Sequence, residues 1–297
     1  MRFAGAAALL IASGCSSNGS TAPDAAAGPP HDAAVETGAD DTGAVDAGQE
    51  SGAEAGGGPT TGSITVIQNV TSAGDFSQVA VALARHYASG ATCSSTTSGP
   101  CTIQDCTAVE SADAGPSIDE SAGTITLSGG AFSMPLMLPF DTPQGQYRPA
   151  LVPLAIFTAG QVFDVSAPGA QYPGFSGRSS PAPATIVISS PGLVDSGLGP
   201  TYVFDPTAPL AWSWINGSAG SQVTFTVVTS SPDLIITCTF DAAGGTGTIP
   251  QDIVAMFPSI PTDVQIASIS TSLLPAGDQS VLFELESSAP AANIAPQ

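Results

Sequence analysis

QVTFTVVTSSPDLIITCTF, residues Gln222 to Phe240, decides the fold class. Val223, Phe225 and Val227 alternate with polar residues. After the break Ser230-Ser231-Pro232-Asp233, the residues Leu234, Ile236, Cys238 and Phe240 alternate in the same way. A period of two places every second side chain on one face, so the stretch predicts two strands joined by a short turn, each with one buried face. Cys238 falls on the apolar face, where a structural disulfide belongs.

Working outward, short runs of similar texture recur: 64–70, 76–87, 123–128, 133–138, 162–166, 184–189, 201–204, 211–215, 264–270 and 281–286. Most gaps between them hold some of the chain's 26 prolines and 33 glycines. Short strands at regular intervals between turn signals predict an all-β antiparallel β-sandwich of immunoglobulin or jelly-roll type, with about 10–12 strands. One short helix is expected after Pro250, because Ile253, Met256 and Phe257 form an i, i+3, i+4 stripe that would plug an end of the sandwich.

The N-terminal region has a different composition. Arg2 and the apolar run from Phe3 to Ala12 end in Ala12-Ser13-Gly14-Cys15, the layout of an export signal closed by a lipobox. Residues 1–15 therefore read as a lipoprotein signal with Cys15 as the acylated residue, and several acyl chains on one cysteine suffice for stable anchoring. Ser16 in place of aspartate resembles the enteric sorting pattern, which implies the outer membrane rather than retention at the inner one. Residues 16–59 are Ala, Gly, Asp, Ser, Thr and Pro with almost no large apolar side chain, too little to offset chain entropy. They read as a disordered acidic tether, with an r.m.s. reach of roughly 35–40 Å as a flexible coil. Residues 60–297 carry the β-sandwich domain. Contact with a bilayer is expected through the N-terminal lipid alone.

Charge narrows the partners. The chain has four arginines, no lysine and 25 carboxylates; beyond residue 59 stand three arginines against seventeen carboxylates. Such a surface repels phosphate backbones, so no nucleic acid is expected as a partner. Beside Cys15 there are four cysteines, Cys93, Cys101, Cys106 and Cys238, an even number in an exported chain, which points to two disulfides. Three lie together in a Ser/Thr/Gly-rich loop and one lies far away. One local and one long-range bridge are expected, Cys93–Cys101 with Cys106–Cys238, although four cysteines allow three pairings.

Several stretches resemble a group of secreted myxobacterial lipoproteins. They are Pro173-Gly174-Phe175-Ser176-Gly177 followed by Pro181 and a strand, Trp214-Ile215-Asn216-Gly217, and Thr237-Cys238-Thr239-Phe240-Asp241-Ala242-Ala243-Gly244 running on to Pro250. The lipobox and acidic tether fit the same group. The resemblance spans most of residues 63–286 and implies a β-rich lipoprotein with no catalytic residues.

Chemistry is sparse. A histidine-based hydrolase needs a base beside its nucleophile, and His86 is the single histidine beyond the tether. Asp141 or Asp164 are candidates to orient it, yet no G-x-S-x-G elbow places a serine. Asp119-Glu120 and Glu284/Glu286 are the nearest approaches to a carboxylate pair, and Glu284/Glu286 read better as a solvated strand edge. Trp212 and Trp214 share a strand face and form a candidate stacking platform for sugars, against the competing reading of a buried core pair. Asp105, Glu110, Asp113, Asp119 and Glu120 offer hard oxygen ligands that suit Ca²⁺; a zinc site on the four later cysteines is the competing reading of those thiols, and the acidic, histidine-poor, exported context speaks against it. The expectation is a tethered, non-enzymatic structural or interaction protein with a protein or glycan partner. A glycan-binding or calcium-dependent adhesin-like module comes second, and a hydrolase third.

Overall fold

The computed structural model describes residues 60–69, 75–83, 93–105, 120–197, 199–229 and 234–297. Gln222–Val228 and Leu234–Asp241 pair antiparallel, with Phe225 opposite Cys238 and Val227 opposite Ile236. Val223, Phe225, Val227, Ile236 and Cys238 are all buried, as the alternation requires, while Leu234 and Phe240 are half-buried against the same core. Burying each large side chain contributes on the order of 1.5–3 kcal/mol. On the opposite face Thr102, Thr237 and Thr226 fall in one registered row, with the Thr226 and Thr237 hydroxyls 3.3 Å apart.

This hairpin sits inside a twelve-stranded sheet. From one edge the order is Ser94–Ser98, Cys101–Asp105, Leu234–Asp241, Gln222–Val228, Thr262–Ala276, Gln279–Ser288, Thr60–Asn69, Phe76–Leu83 and Ala150–Val152. Three further strands, Ala292–Pro296, Pro200–Phe204 and Leu193–Asp195, branch from the start of Thr262–Ala276.

Thr262–Ala276 explains the architecture. Its fifteen residues are long enough to serve two cores. Val264 and Ile266 point into one, with Phe225, Trp212 and Ile236; Leu274 points into the other, with Phe283, Phe163 and Ile64. Between them lie Ser268 and Ser270, buried at 0% and 4% exposure, with neither hydroxyl finding a hydrogen-bond partner among the described residues. A four-stranded sheet, Phe175–Arg178, Phe163–Ala167, Ile125–Gly129 and Leu136–Leu138, closes one core. A three-stranded sheet, Val187–Ser190, Leu210–Ile215 and Thr246–Ile249, closes the other. The chain passing between these two small sheets is tied to the long sheet by hydroxyls. Ser180 donates its N–H to Ser272 Oγ (2.9 Å) and its Oγ–H to the Thr271 carbonyl (2.6 Å), while Thr185 and Ser287 share a hydrogen bond of 2.7 Å.

The all-β sandwich stands, with three corrections. The described residues form 21 strands rather than 10–12, because two sandwiches share one long sheet. Two pairings are parallel, Thr60–Asn69 with Gln279–Ser288 and Pro200–Phe204 with Ala292–Pro296. The region expected to be a cysteine-bearing loop contains the hairpin Ser94–Ser98/Cys101–Asp105, whose Ser and Thr side chains suit an exposed strand face. The short helix is Gln251–Val254, with Pro250 at its N-cap; Ile253, Val254 and Phe257 are buried, while Met256 faces outward.

Disulfide pairing is also corrected. Cys101 bonds to Cys238, its direct partner across the register, which excludes both expected bridges. Cys93 is disulfide-bonded as well, and Cys106 lies outside the described residues. The reason is positional: Cys101 opens the strand that pairs with Leu234–Asp241 and shares its buried face.

Candidate functional site

The outer face of the four-stranded sheet carries two registered polar rows. Phe163–Ala167 alternates Phe163, Val165 and Ala167 inward with Asp164 and Ser166 outward, and Phe175–Arg178 turns Ser176 and Arg178 outward. Strand pairing aligns Met137, Thr126, Ser166 and Ser176 in one row. The next row aligns Ser128, Asp164 and Arg178. Two shallow depressions, of about 550 Å³ and 250 Å³, open on this face; the larger is bounded by Pro168 and Pro275, and the smaller contains Asp164 and Arg178.

The Pro173-Gly174-Phe175-Ser176-Gly177 stretch builds one wall. Phe175 is buried in the core, and a Cβ on Gly174 would meet the Pro168 carbonyl oxygen at 2.7 Å. A Cβ on Gly177 would meet Leu274 Cδ2 at 2.7 Å, so glycine lets this strand lie close on the long sheet.

Arg178 Nε lies 3.2 Å from Asp164 Oδ1, with side chains 73% and 63% exposed. An ion pair this open contributes little to stability. Both partners keep free valences toward solvent, so the pair offers donors and acceptors side by side. Arg148 pairs with Asp141 elsewhere, and Arg85 lies outside the described residues.

The sites anticipated from sequence fall out differently. Trp212 and Trp214 are 4% and 3% exposed, so no stacking platform exists there. Trp212 packs against Tyr202 and Phe225 with ring centroids 4.8 Å apart in each case. Trp214 donates its Nε1–H to the Ala242 carbonyl at 2.8 Å. The Trp214-Ile215-Asn216-Gly217 and Asp241-Ala242-Ala243-Gly244 motifs therefore dock on each other. Asn216 has φ 70°, and a Cβ at Gly217 would stand 1.8 Å from the Ala242 oxygen. Asp241 closes the adjoining turn by accepting from Ala243 N–H at 3.1 Å.

Glu284 and Glu286 are not on an edge. Their strand runs between Thr262–Ala276 and Thr60–Asn69, with Thr271 and Thr65 flanking Glu284 and with Ile269 and Ile67 flanking Glu286. Glu286 is buried and accepts from Gln265 Nε2 (2.8 Å) and Ser288 Oγ (2.6 Å). Burial raises Glu286, against the lowering effect of those two bonds. Burial, with Glu286 adding repulsion, pushes Glu284 up to about 7.

Of the calcium candidates, Asp105 ends the strand paired with Leu234 and Ser94, and Glu120 donates its backbone N–H to the Leu83 carbonyl at 2.6 Å. Glu110, Asp113 and Asp119 lie outside the described residues. Among the described residues no three His, Cys, Asp or Glu side chains are grouped to hold a metal ion. His86 also lies outside them, while Asp164 and Asp141 are engaged by arginines.

No protein-family model matches the chain, and no curated protein does. Among solved structures it is similar to a Ca²⁺-stabilized adhesin that helps an Antarctic bacterium reach out and bind ice, with 14% identity, TM-score 0.22 and 80% of this chain covered. It is also similar to the FN1-FN3 domains of chicken CNTN1, with 11% identity, TM-score 0.19 and 70% of this chain covered. A tetra-tandem repeat in the extending region of a large adhesion protein gives 13% identity, TM-score 0.18 and 77% coverage. This chain spans 50%, 66% and 48% of those structures, respectively, and none of these likenesses bears on what it binds.

Proposed function

We propose that this chain is an exported lipoprotein, anchored to the outer membrane through Cys15, whose acidic tether presents a non-enzymatic β body for binding. The observation that carries the binding half is the polar face of the four-stranded sheet. Its outward residues are hydroxyls, one Asp–Arg pair and Met137, held by strands whose inward residues are core, so the face is preorganised and needs no ordering on contact. Asp164, the face's carboxylate, is held by Arg178. The anchor rests on the lipobox and on an apolar run too short to span a bilayer.

Two measurements test this reading. Labelling with a clickable palmitate analogue should tag the wild type and not Cys15→Ser, and that variant should leave the membrane fraction. Retention of Cys15→Ser in the membrane would overturn the anchor. Catalytic turnover of glycan, ester or peptide substrates by the purified chain would overturn the non-enzymatic assignment.

A further inference from the structure

We propose that the two polar rows on the four-stranded sheet form a binding site for a neutral saccharide, with Asp164 and Arg178 clasping neighbouring hydroxyls of one sugar ring. This rests on the reading above that the body binds rather than converts its ligand, and it names the ligand class.

The chemistry follows from what each row offers. Asp164 presents carboxylate oxygens that accept from hydroxyls, and Arg178 presents N–H groups that donate to them, 3.2 Å apart at their nearest atoms. Every sugar hydroxyl is both donor and acceptor, so a pair of adjacent hydroxyls satisfies both partners at once. Beside them Thr126, Ser166 and Ser176 stand in register on three neighbouring strands, roughly 4.8 Å apart from strand to strand, a spacing on the scale of one sugar ring. Met137 ends that row at 62% exposure, giving an apolar surface for the C–H face of the ring. The depression that holds Asp164 and Arg178, about 250 Å³, shares Ser166 and Ser176 with the larger one of about 550 Å³, so a ring clasped in the first leaves room for the next sugar in the second.

Charge selects neutral over anionic sugars. Asp164 and Arg178 cancel locally, and the chain beyond residue 59 carries three arginines against seventeen carboxylates, so an acidic saccharide meets repulsion in its approach and at Asp164. A cationic ligand would meet Arg178. The ring of Phe175, the aromatic nearest the depression, is turned into the core, so binding relies on hydrogen bonds and is weak for a single site.

The test uses the full chain on an array of neutral oligosaccharides (cello-, malto-, manno- and chito-hexaose), with alginate and hyaluronan fragments as acidic comparators, followed by calorimetry on any hit. Binding to at least one neutral series is expected. Arg178→Ala and Asp164→Asn should each weaken it about tenfold, the loss of one charge-assisted hydrogen bond. Ser166→Ala should weaken it less, and Thr226→Ala, on a different sheet, should not alter it. Unchanged thermal midpoints will show that these surface variants remain folded. No neutral ligand, a preference for the acidic sugars, or wild-type affinity in both charge variants would overturn the site. Those failures leave the non-enzymatic reading intact. Release of cleaved sugar by the wild-type chain would instead overturn that reading.

Discussion

Cys101 and Cys238 face each other across adjacent antiparallel strands and are joined by a disulfide, their Cα atoms 3.9 Å apart and 137 residues apart in sequence. The bond clamps the edge hairpin 94–105 to the hairpin 222–241. Closing so long a loop constrains the unfolded chain. The double variant Cys101→Ala/Cys238→Ala should lose about 2–4 kcal/mol in urea unfolding. Amide exchange should accelerate first in residues 94–105, whose strand pairing on one side depends on 234–238. An unaltered urea midpoint would show that the bridge is dispensable.

Elimination leaves one partner for Cys93. It is disulfide-bonded, Cys101 and Cys238 are bonded to each other, and Cys15 reads as the acylated residue. Non-reducing peptide mapping should recover Cys93 linked to Cys106. Cys93 found on any other cysteine would refute the assignment.

Glu284 and Glu286 make stability depend on pH. Folding raises both carboxyls, so the folded state prefers the protonated forms. The stabilisation is therefore complete below the ordinary glutamate range and is lost as pH climbs; for Glu284 the loss runs from about 4.5 to about 7. No cation stands on the flanking strands at Thr271, Thr65, Ile269 or Ile67 to reverse that sign. Glu284→Gln should raise stability at pH 8 by about 1–3 kcal/mol and flatten the slope between pH 5 and 8. Thermal midpoints across that range decide it, and an unchanged slope would place the titration elsewhere.

The two tryptophans should respond unequally to the same substitution. Trp214→Phe removes the shorter of two hydrogen bonds to the Ala242 carbonyl, which keeps only the Gly245 N–H at 3.3 Å, whereas the Trp212 indole N–H is buried with no hydrogen-bond partner among the described residues. Both lose volume, but Trp214→Phe should cost about 1 kcal/mol more than Trp212→Phe, the net worth of one hydrogen bond. Gly217→Ala should cost more than either, because its Cβ collides with backbone that cannot rotate away. Chemical denaturation of the three variants gives the order directly.

Alternation in Gln222–Val228 and Leu234–Asp241 was enough to orient Phe225, Cys238 and their neighbours, because a strand's side-chain period is fixed by the pleat. The same reading placed Glu284 and Glu286 on one face but put that face on an edge. A strand in the middle of a sheet and one at its rim have the same period, and only pairing tells them apart. Trp212 and Trp214 present the parallel ambiguity, since a shared face is legible and the identity of what covers it is not. Of the polar site, Arg178 carried a signal as one of three arginines beyond the tether, and the outward positions of Asp164 and Ser166 follow from alternation. Their union with Thr126 and Ser176 depended on pairing between segments some 50 residues apart.

Composition and period alone thus determined an all-β body with inward and outward faces and an acidic surface, because these are local properties of the chain. Tertiary structure decided that Thr262–Ala276 serves two cores, that Cys101 rather than Cys106 meets Cys238, and that two polar rows converge on one sheet. Each of those outcomes is a choice of partner between strands distant in sequence, made by the summed burial of whole faces rather than by any single residue.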